Sequence, residues 1–248
     1  MNYSFTFNSV DMNTYGLVVV ASDIHGLERE NESQLIQDLS WPFRPKSPPK
    51  MITLQVAVMA TSRAVLKGYL DGIKGFIATD VPYNLVLDGL NDRYWLAKVN
   101  SFNGGYRGVS TWIGTIGFQA DDPCAYDVSE TDSPHLIDAD HQTVIETPGG
   151  TAMISPVYTL TAGEELAAVT IKVQNINTDE ELQWTGTLTI GQVLEINTDA
   201  WTIKKEGVAD ISTFTGQFPR LQPGANQIKV TAFSTTGTLD IKYRNRFL

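Results

Sequence analysis

The chain is poor in the residues that build metal sites, disulfide frameworks and export signals. Cys124 is the single cysteine among 248 residues, and the histidines are three: His25, His135 and His141. One cysteine excludes an internal disulfide framework and any Cys-rich metal site. No basic residue precedes Arg29, so the start lacks the charged region of a secretory signal. The early apolar run "GLVVVA" (16–21) is too short to cross a bilayer. The expectation is a protein made and kept soluble, with no membrane partner. Positive charge is scarce too: 18 Lys and Arg stand against 28 Asp and Glu, a formal net charge of −10. Such a chain repels phosphate and is not suited to stable nucleic-acid binding.

Catalytic patterns are equally sparse. There is no Gly-x-Ser-x-Gly elbow and no Walker-type Gly-Lys-Ser/Thr. Cys124 follows Asp121 and Asp122, whose charges discourage a thiolate. "DADH" (138–141) offers two carboxylates and an imidazole. On a strand Asp138 and Asp140 share one face while His141 points away, which is poor geometry for a single metal. No pair of acids singles itself out for glycoside hydrolysis. The reading is a non-enzyme without metal or cofactor.

What is present is alternation. Hydrophobic residues make up 42% of the chain, enough for one large β domain or two ordinary ones. In "MITLQVAVMA" (51–60), Ile52, Leu54, Val56 and Val58 face one way, against Thr53, Gln55 and Ala57. Phe5 and Phe7, with Tyr3, alternate with Ser4 and Thr6. "DRYWLAKVNSFNGGYRGVSTWIGTIGFQA" (92–120) predicts two strands around a loop at Asn103-Gly104-Gly105. One segment departs from period two. In "TSRAVLKGYLDGIKG" (61–75), Val65, Leu66, Tyr69, Leu70 and Ile73 recur at helical spacing, with Thr61 or Ser62 as cap and Gly75 as stop. Gly68 and Gly72 weaken such a helix, so it should lie across a sheet.

Residues 121–150 are acidic and carry Pro123, Pro134 and Pro148, which predicts a connection with one short strand and a boundary at Pro148-Gly149-Gly150. Period two then returns without helix: Val169, Ile171, Val173; Leu188, Ile190; Leu194, Ile196; Ile228, Val230; Leu239, Ile241, Tyr243. Close strands with turns between them predict a sandwich. The expected fold is mainly β. Residues 1–128 form a β-rich domain with one α-helix and a hairpin, 129–150 a linker, and 151–248 a β-sandwich. In "FPRLQPGANQIKV" (218–230), Pro223-Gly224 pre-sets a turn that sends Ile228 and Val230 inward and Gln227 and Lys229 outward.

Two aromatic groups carry candidate contacts. Trp184 and Trp201, in the second half, are each readable as core or as a platform for a sugar ring. Trp41 and Phe43, in a proline-rich crossing segment, read equally as an anchor on a neighbouring subunit or as an internal staple.

Taken in order, several fragments resemble the distal tail proteins of siphophages. They are "YSFTFNSVDMNTYGLVVV", the crossing "LSWPFRPKSPPKMITLQVAV", "DRYWLAKVNSF", "GTIGFQADDPCAYD", and "GQFPRLQPGANQIKV" with the terminal "LDIKYRNRFL". Ser9 departs from the pattern, where relatives carry Gly in an Asn-Gly turn. The resemblance implies a structural virion protein: a hexameric ring at the distal end of the tail, made in the host cytoplasm. It implies a tail tube protein and a tail hub or tip protein as partners, with receptor-binding proteins or a host glycan as further ones. It also implies an open channel for DNA and a galectin-like or carbohydrate-module-like C-terminal domain. The alternative function is a carbohydrate-binding module for host-surface glycans, with Trp184 or Trp201 as platform.

Overall fold

A computed structural model describes residues 3–24, 48–210, 213–231 and 236–248, so His25, Trp41 and Phe43 lie outside the described residues. The chain divides into two compact units, Met1–Val128 and Ser129–Phe247.

The first unit contains β1 (Phe5–Phe7), β2 (Val10–Asp11), β3 (Leu17–Ile24), β4 (Lys50–Met59), α1 (Arg63–Ile77), β5 (Tyr83–Leu87), β6 (Arg93–Arg107), β7 (Thr111–Ala120) and β8 (Ala125–Asp127). Seven of these strands run in the order β2-β1-β5-β6-β7-β4-β3. One isolated bridge links β3, at one end of this order, to the residue pair ahead of β1, with Val19 N donating to Tyr3 O at 2.7 Å. Ile52, Leu54, Val56 and Val58 are all fully buried, as their alternation predicts. Phe5 and Phe7 pack against Phe118 with centroids 5.5 and 5.4 Å apart.

The helix starts where expected, with Ser62 Oγ accepting from Val65 N at 3.3 Å. It buries Leu66, Leu70, Ile73 and Ile77 and packs on β4 and β7. Val65, expected inside, is exposed. Gly75 does not end the helix, which runs on to Ile77 because that residue extends the buried stripe by one more turn. Gly16 caps the short 3-10 turn Met12–Tyr15 at φ 62°, and a Cβ there would sit 2.4 Å from Met59 O. Asn8 and Ser9 both have positive φ, 50° and 63°. The β1–β2 hairpin therefore keeps a two-residue turn with both central residues left-handed, even with serine in place of glycine.

The turn expected at Asn103-Gly104-Gly105 lies elsewhere. β6 continues through all three residues and reverses only at 108–110. Gly104 pairs with Gly114 on β7, and a Cβ on either would come within 2.4 Å of the Trp112 ring. Those glycines provide clearance, not a bend. Trp112 uses the space to stack on Phe102, with centroids 4.8 Å apart and planes 10° from parallel.

The second unit is an antiparallel sandwich. One sheet orders β10 (Gln142–Glu146), β18 (Asn226–Thr231), β12 (Leu166–Asn175), β13 (Glu180–Leu188) and β17 (Phe214–Gly216). The other orders β16 (Val208–Ala209), β15 (Thr202–Lys205), β14 (Val193–Asn197), β11 (Val157–Ala162), β19 (Gly237–Tyr243) and β9 (Thr131–Ile137). Ile171, Val173, Leu188, Leu194, Ile196, Ile228, Val230, Leu239, Ile241 and Tyr243 share one core, while Val169 packs against it partly buried. Ile190 instead is exposed, in the turn after β13.

Residues 129–150 are not a linker. They supply β9 and β10, the edge strands of the two opposed sheets. An edge strand tolerates proline and charge, which is why this stretch reads as a connection: Pro134 sits within β9.

Candidate functional site

The second unit is organised around its Pro-Gly turn. Gly224 has φ 84°, the left-handed conformation required after Pro223. Asn226, fully buried, closes the turn with its side chain. Its Oδ1 accepts from Gln222 N at 2.9 Å, and its Nδ2 donates to Gln222 O and Gly224 O, both at 2.8 Å.

The β12–β13 hairpin grips the same segment. Asn175 Nδ2 donates to Arg220 O at 2.5 Å and to Asn226 Oδ1 at 2.9 Å. Glu180, at the start of β13, is buried and holds Arg220 through both carboxylate oxygens. The Arg220 Nε and backbone N donate to it at 2.8 and 2.7 Å, and Nη2 also donates to it. Tyr158 completes the clamp by donating to Pro219 O at 3.1 Å. Burial, then the charges of Glu180 and Glu146, holds its hydroxyl well above the usual tyrosine range.

A second polar cluster joins the edges of the two sheets. Glu146 on β10 is buried; its Oε1 lies 2.5 Å from His135 Nε2 on β9, and its Oε2 accepts from Tyr243 OH on β19 at 3.2 Å. Ser133 Oγ lies 3.2 Å from the same imidazole nitrogen. These polar groups satisfy one another, and they join the two edges beside Ile137 of β9 and Val144 of β10, which enter the apolar core.

The other expected sites are dispersed. Asp138 and Asp140 lie at the corner between β9 and β10, where Asp140 contacts His141 at 3.2 Å and His141 Nδ1 meets Thr231 Oγ1 at 3.3 Å. Among the described residues no group of three His, Cys, Asp or Glu converges on a point that would hold a metal. Cys124 is buried, and Asp122 accepts from its backbone N at 3.0 Å, as expected of an aspartate at a strand end.

Trp184 is not a surface platform. It is 1% exposed, and its Nε1 donates to Asp210 Oδ2 at 3.1 Å. Its strand places it on the inner face, and alternation alone does not say which face is inner. Trp201 is 49% exposed at φ 56°, and its ring stacks on Phe218 with centroids 6.2 Å apart and planes 29° from parallel. Phe218 in turn meets Phe214 at 5.4 Å. What the sequence does not reveal is the Glu180–Arg220 and Glu146–His135 pairs; their partners are 40 and 11 residues apart in the chain.

The described residues define a two-unit antiparallel β protein whose buried polar side chains secure turns and sheet edges. Its residues 149–247 match a family model described as the siphovirus-type tail component, C-terminal domain. Over its whole length the chain shares the fold of the SPP1 Dit (gp 19.1) protein, described as a paradigm of the hub adsorption apparatus in phages infecting Gram-positive hosts. The TM-score is 0.73 at 12% identity, covering 100% of both chains. A chain of the phage P2 baseplate in its activated, Ca-bound conformation matches at TM-score 0.44 and 10% identity, over 97% of each chain. No curated protein sequence matches. The resemblance to the distal tail protein family read from the sequence is supported: residues 149–247 match the siphovirus-type tail component domain, and the whole chain shares the SPP1 Dit fold.

Proposed function

We propose that the protein is a structural component of a siphophage tail. It forms a hexameric ring at the distal end and joins the tube to the hub and adsorption apparatus. The observation that carries this reading is the agreement between the family match over residues 149–247 and a shared fold running through both units in order. In this role the first unit builds the ring, and the second projects as a galectin-like sandwich. The net charge of −10 suits a passage through which DNA moves without sticking.

Sedimentation of the purified chain, alone and with the adjoining tube or hub protein, tests this. A closed species of about 164 kDa, six copies of the 27.3 kDa chain, is expected in at least one condition. A chain that stays monomeric with both partners present rejects it.

A second reading rests on Trp201. A half-exposed ring held flat by Phe218 is suited to stacking on the apolar face of a pyranose. Glycan-array binding by the intact chain that disappears in Trp201→Ala supports sugar recognition; no binding to any glycan rejects it.

A further inference from the structure

Glu146 stands where the two sheets of the second unit face each other at their edges. It lies on β10 of the five-stranded sheet, yet both of its carboxylate oxygens are held from the six-stranded one. His135 Nε2 on β9 lies 2.5 Å from Oε1, and the Tyr243 hydroxyl on β19 donates to Oε2 at 3.2 Å. β9 and β10 belong to different sheets and share no ladder, so side chains carry the link between these edges. At the corner end Gln142 makes it, donating to Leu136 O at 2.8 Å and accepting from Asp138 N at 2.9 Å. At the other end it is His135 and Glu146.

The two partners differ in their access to water. The His135 side chain is 22% exposed and the Glu146 side chain 4%. Both contacts of the imidazole, to Glu146 and to Ser133 Oγ, use Nε2. Nδ1 is thereby left to exchange a proton with solvent while Nε2 keeps its bond to the sealed carboxylate. This is no catalytic triad, because hydroxyl and carboxylate share one ring nitrogen.

The surrounding groups single out the imidazole. Burial, then the Glu146 charge, pushes the Tyr243 hydroxyl up to about 12. Burial, then the charges of Glu180 and Glu146, holds Tyr158 of β11 well above its ordinary range, so both hydroxyls are neutral donors. From β13, Glu180 is committed to Arg220. From β18, Asn226 is the register partner of Glu146 and carries no charge. On β9 itself, Asp132 pairs with Lys242 at 3.2 Å. Asp138, Asp140 and His141 lie at the corner, where the last two meet at 3.2 Å. That leaves at the contact an imidazole, the side chain type that gains charge between about pH 8 and 5.

We propose that His135 and Glu146 form a proton-operated clasp on the second unit. Proton uptake at Nδ1 converts the bond from Nε2–H to the carboxylate into a buried ion pair and tightens β9 against β10; proton loss loosens that edge. The charged imidazole finds this partner only in the folded chain. The added stability is therefore present in the acid part of the range and is lost as pH rises. Because β9 is the first strand of the second unit, the clasp sets how firmly that unit is closed, whatever assembly the chain enters.

Hydrogen exchange of the full chain at about pH 6 and about pH 8, divided by the intrinsic rate and followed by mass spectrometry, tests this. Wild-type peptides from 131–146 should be protected at least about threefold more at the lower pH. In His135→Gln, which keeps an N–H donor but does not titrate, that ratio should fall to about one. In His141→Asn it should stay as in wild type. In proton NMR, the His135 ring resonance should titrate at lower pH in Glu146→Gln than in wild type. A wild-type ratio of about one, or a ratio that survives in His135→Gln, overturns the clasp. A His135 midpoint that Glu146→Gln leaves unmoved overturns it as well. A ratio lost in His141→Asn assigns the response to the corner and overturns it too.

Discussion

Asn175 and Asn226, 51 residues apart in the chain, meet side chain to side chain at 2.9 Å in the interior of the second unit. One closes the Pro-Gly turn and the other belongs to the hairpin that grips it, so turn and hairpin hold a single register. Asn226→Ala leaves Gln222 N, Gln222 O, Gly224 O and Asn175 without their partner. The expected loss is about 2–4 kcal/mol, read from urea unfolding. A loss below about 1 kcal/mol would mean that water replaces the side chain.

Ser9 carries the left-handed backbone usually left to glycine. Ser9→Gly should raise stability by about 0.5–1 kcal/mol, because the Cβ strain disappears while the hairpin contacts remain. Thermal unfolding should show an upward shift; a fall would mean that the serine side chain contributes more than its strain costs.

Gly114 faces Gly104 beneath Trp112, and a methyl group there would come within 2.3 Å of the indole. Gly114→Ala should therefore displace the ring, cost about 1–3 kcal/mol, and alter the tryptophan emission spectrum. An unchanged spectrum and midpoint would show that the hairpin adjusts freely.

The two tryptophans of the second unit should separate cleanly. Trp184→Ala empties the core and removes the donor to Asp210 Oδ2, with an expected loss of about 3–5 kcal/mol. Trp201→Ala, at a half-exposed site, should cost under about 1 kcal/mol. Equal losses on denaturant unfolding would contradict the assigned placements.

Alkaline pH should weaken the second unit. Burial, then the charge of Glu146 and the hydrogen bond to it, pushes the Tyr243 hydroxyl up to about 12 from its ordinary 10.0. Below pH 10 both folded and unfolded states keep this proton. Between 10 and 12 the unfolded state releases it while the folded state retains it, so stability falls as pH rises. Tyr243→Phe should flatten that decline in unfolding curves, and ultraviolet titration should lose one late-ionising tyrosine. A decline as steep as in wild type would remove Tyr243 as its source.

Strands and their inward faces were legible wherever alternation was apolar, as at Ile52–Val58 and Ile228–Val230, because burial of one sheet face imposes period two. The helix was legible for the same reason at period 3.6. Residues 129–150 were not, because the inward side chains there include Ser133, His135 and Glu146, which satisfy one another instead of filling an apolar core. Asn103-Gly104-Gly105 misled because glycine serves both turns and close packing, and the latter depends on Trp112 across the hairpin. Of the site, the Pro-Gly turn was readable and its clamp was not: Asn175, Glu180 and Arg220 become partners only once the sandwich is folded.

Thr131, at the start of β9, pairs directly with Tyr243, at the end of β19. The sandwich therefore begins and ends at neighbouring positions on one sheet. A segment that leaves beside the point where it entered behaves as a cassette. Exchanging 131–243 for another domain whose ends lie side by side preserves the chain's course on either side, so a different domain can be installed without redesigning the remainder.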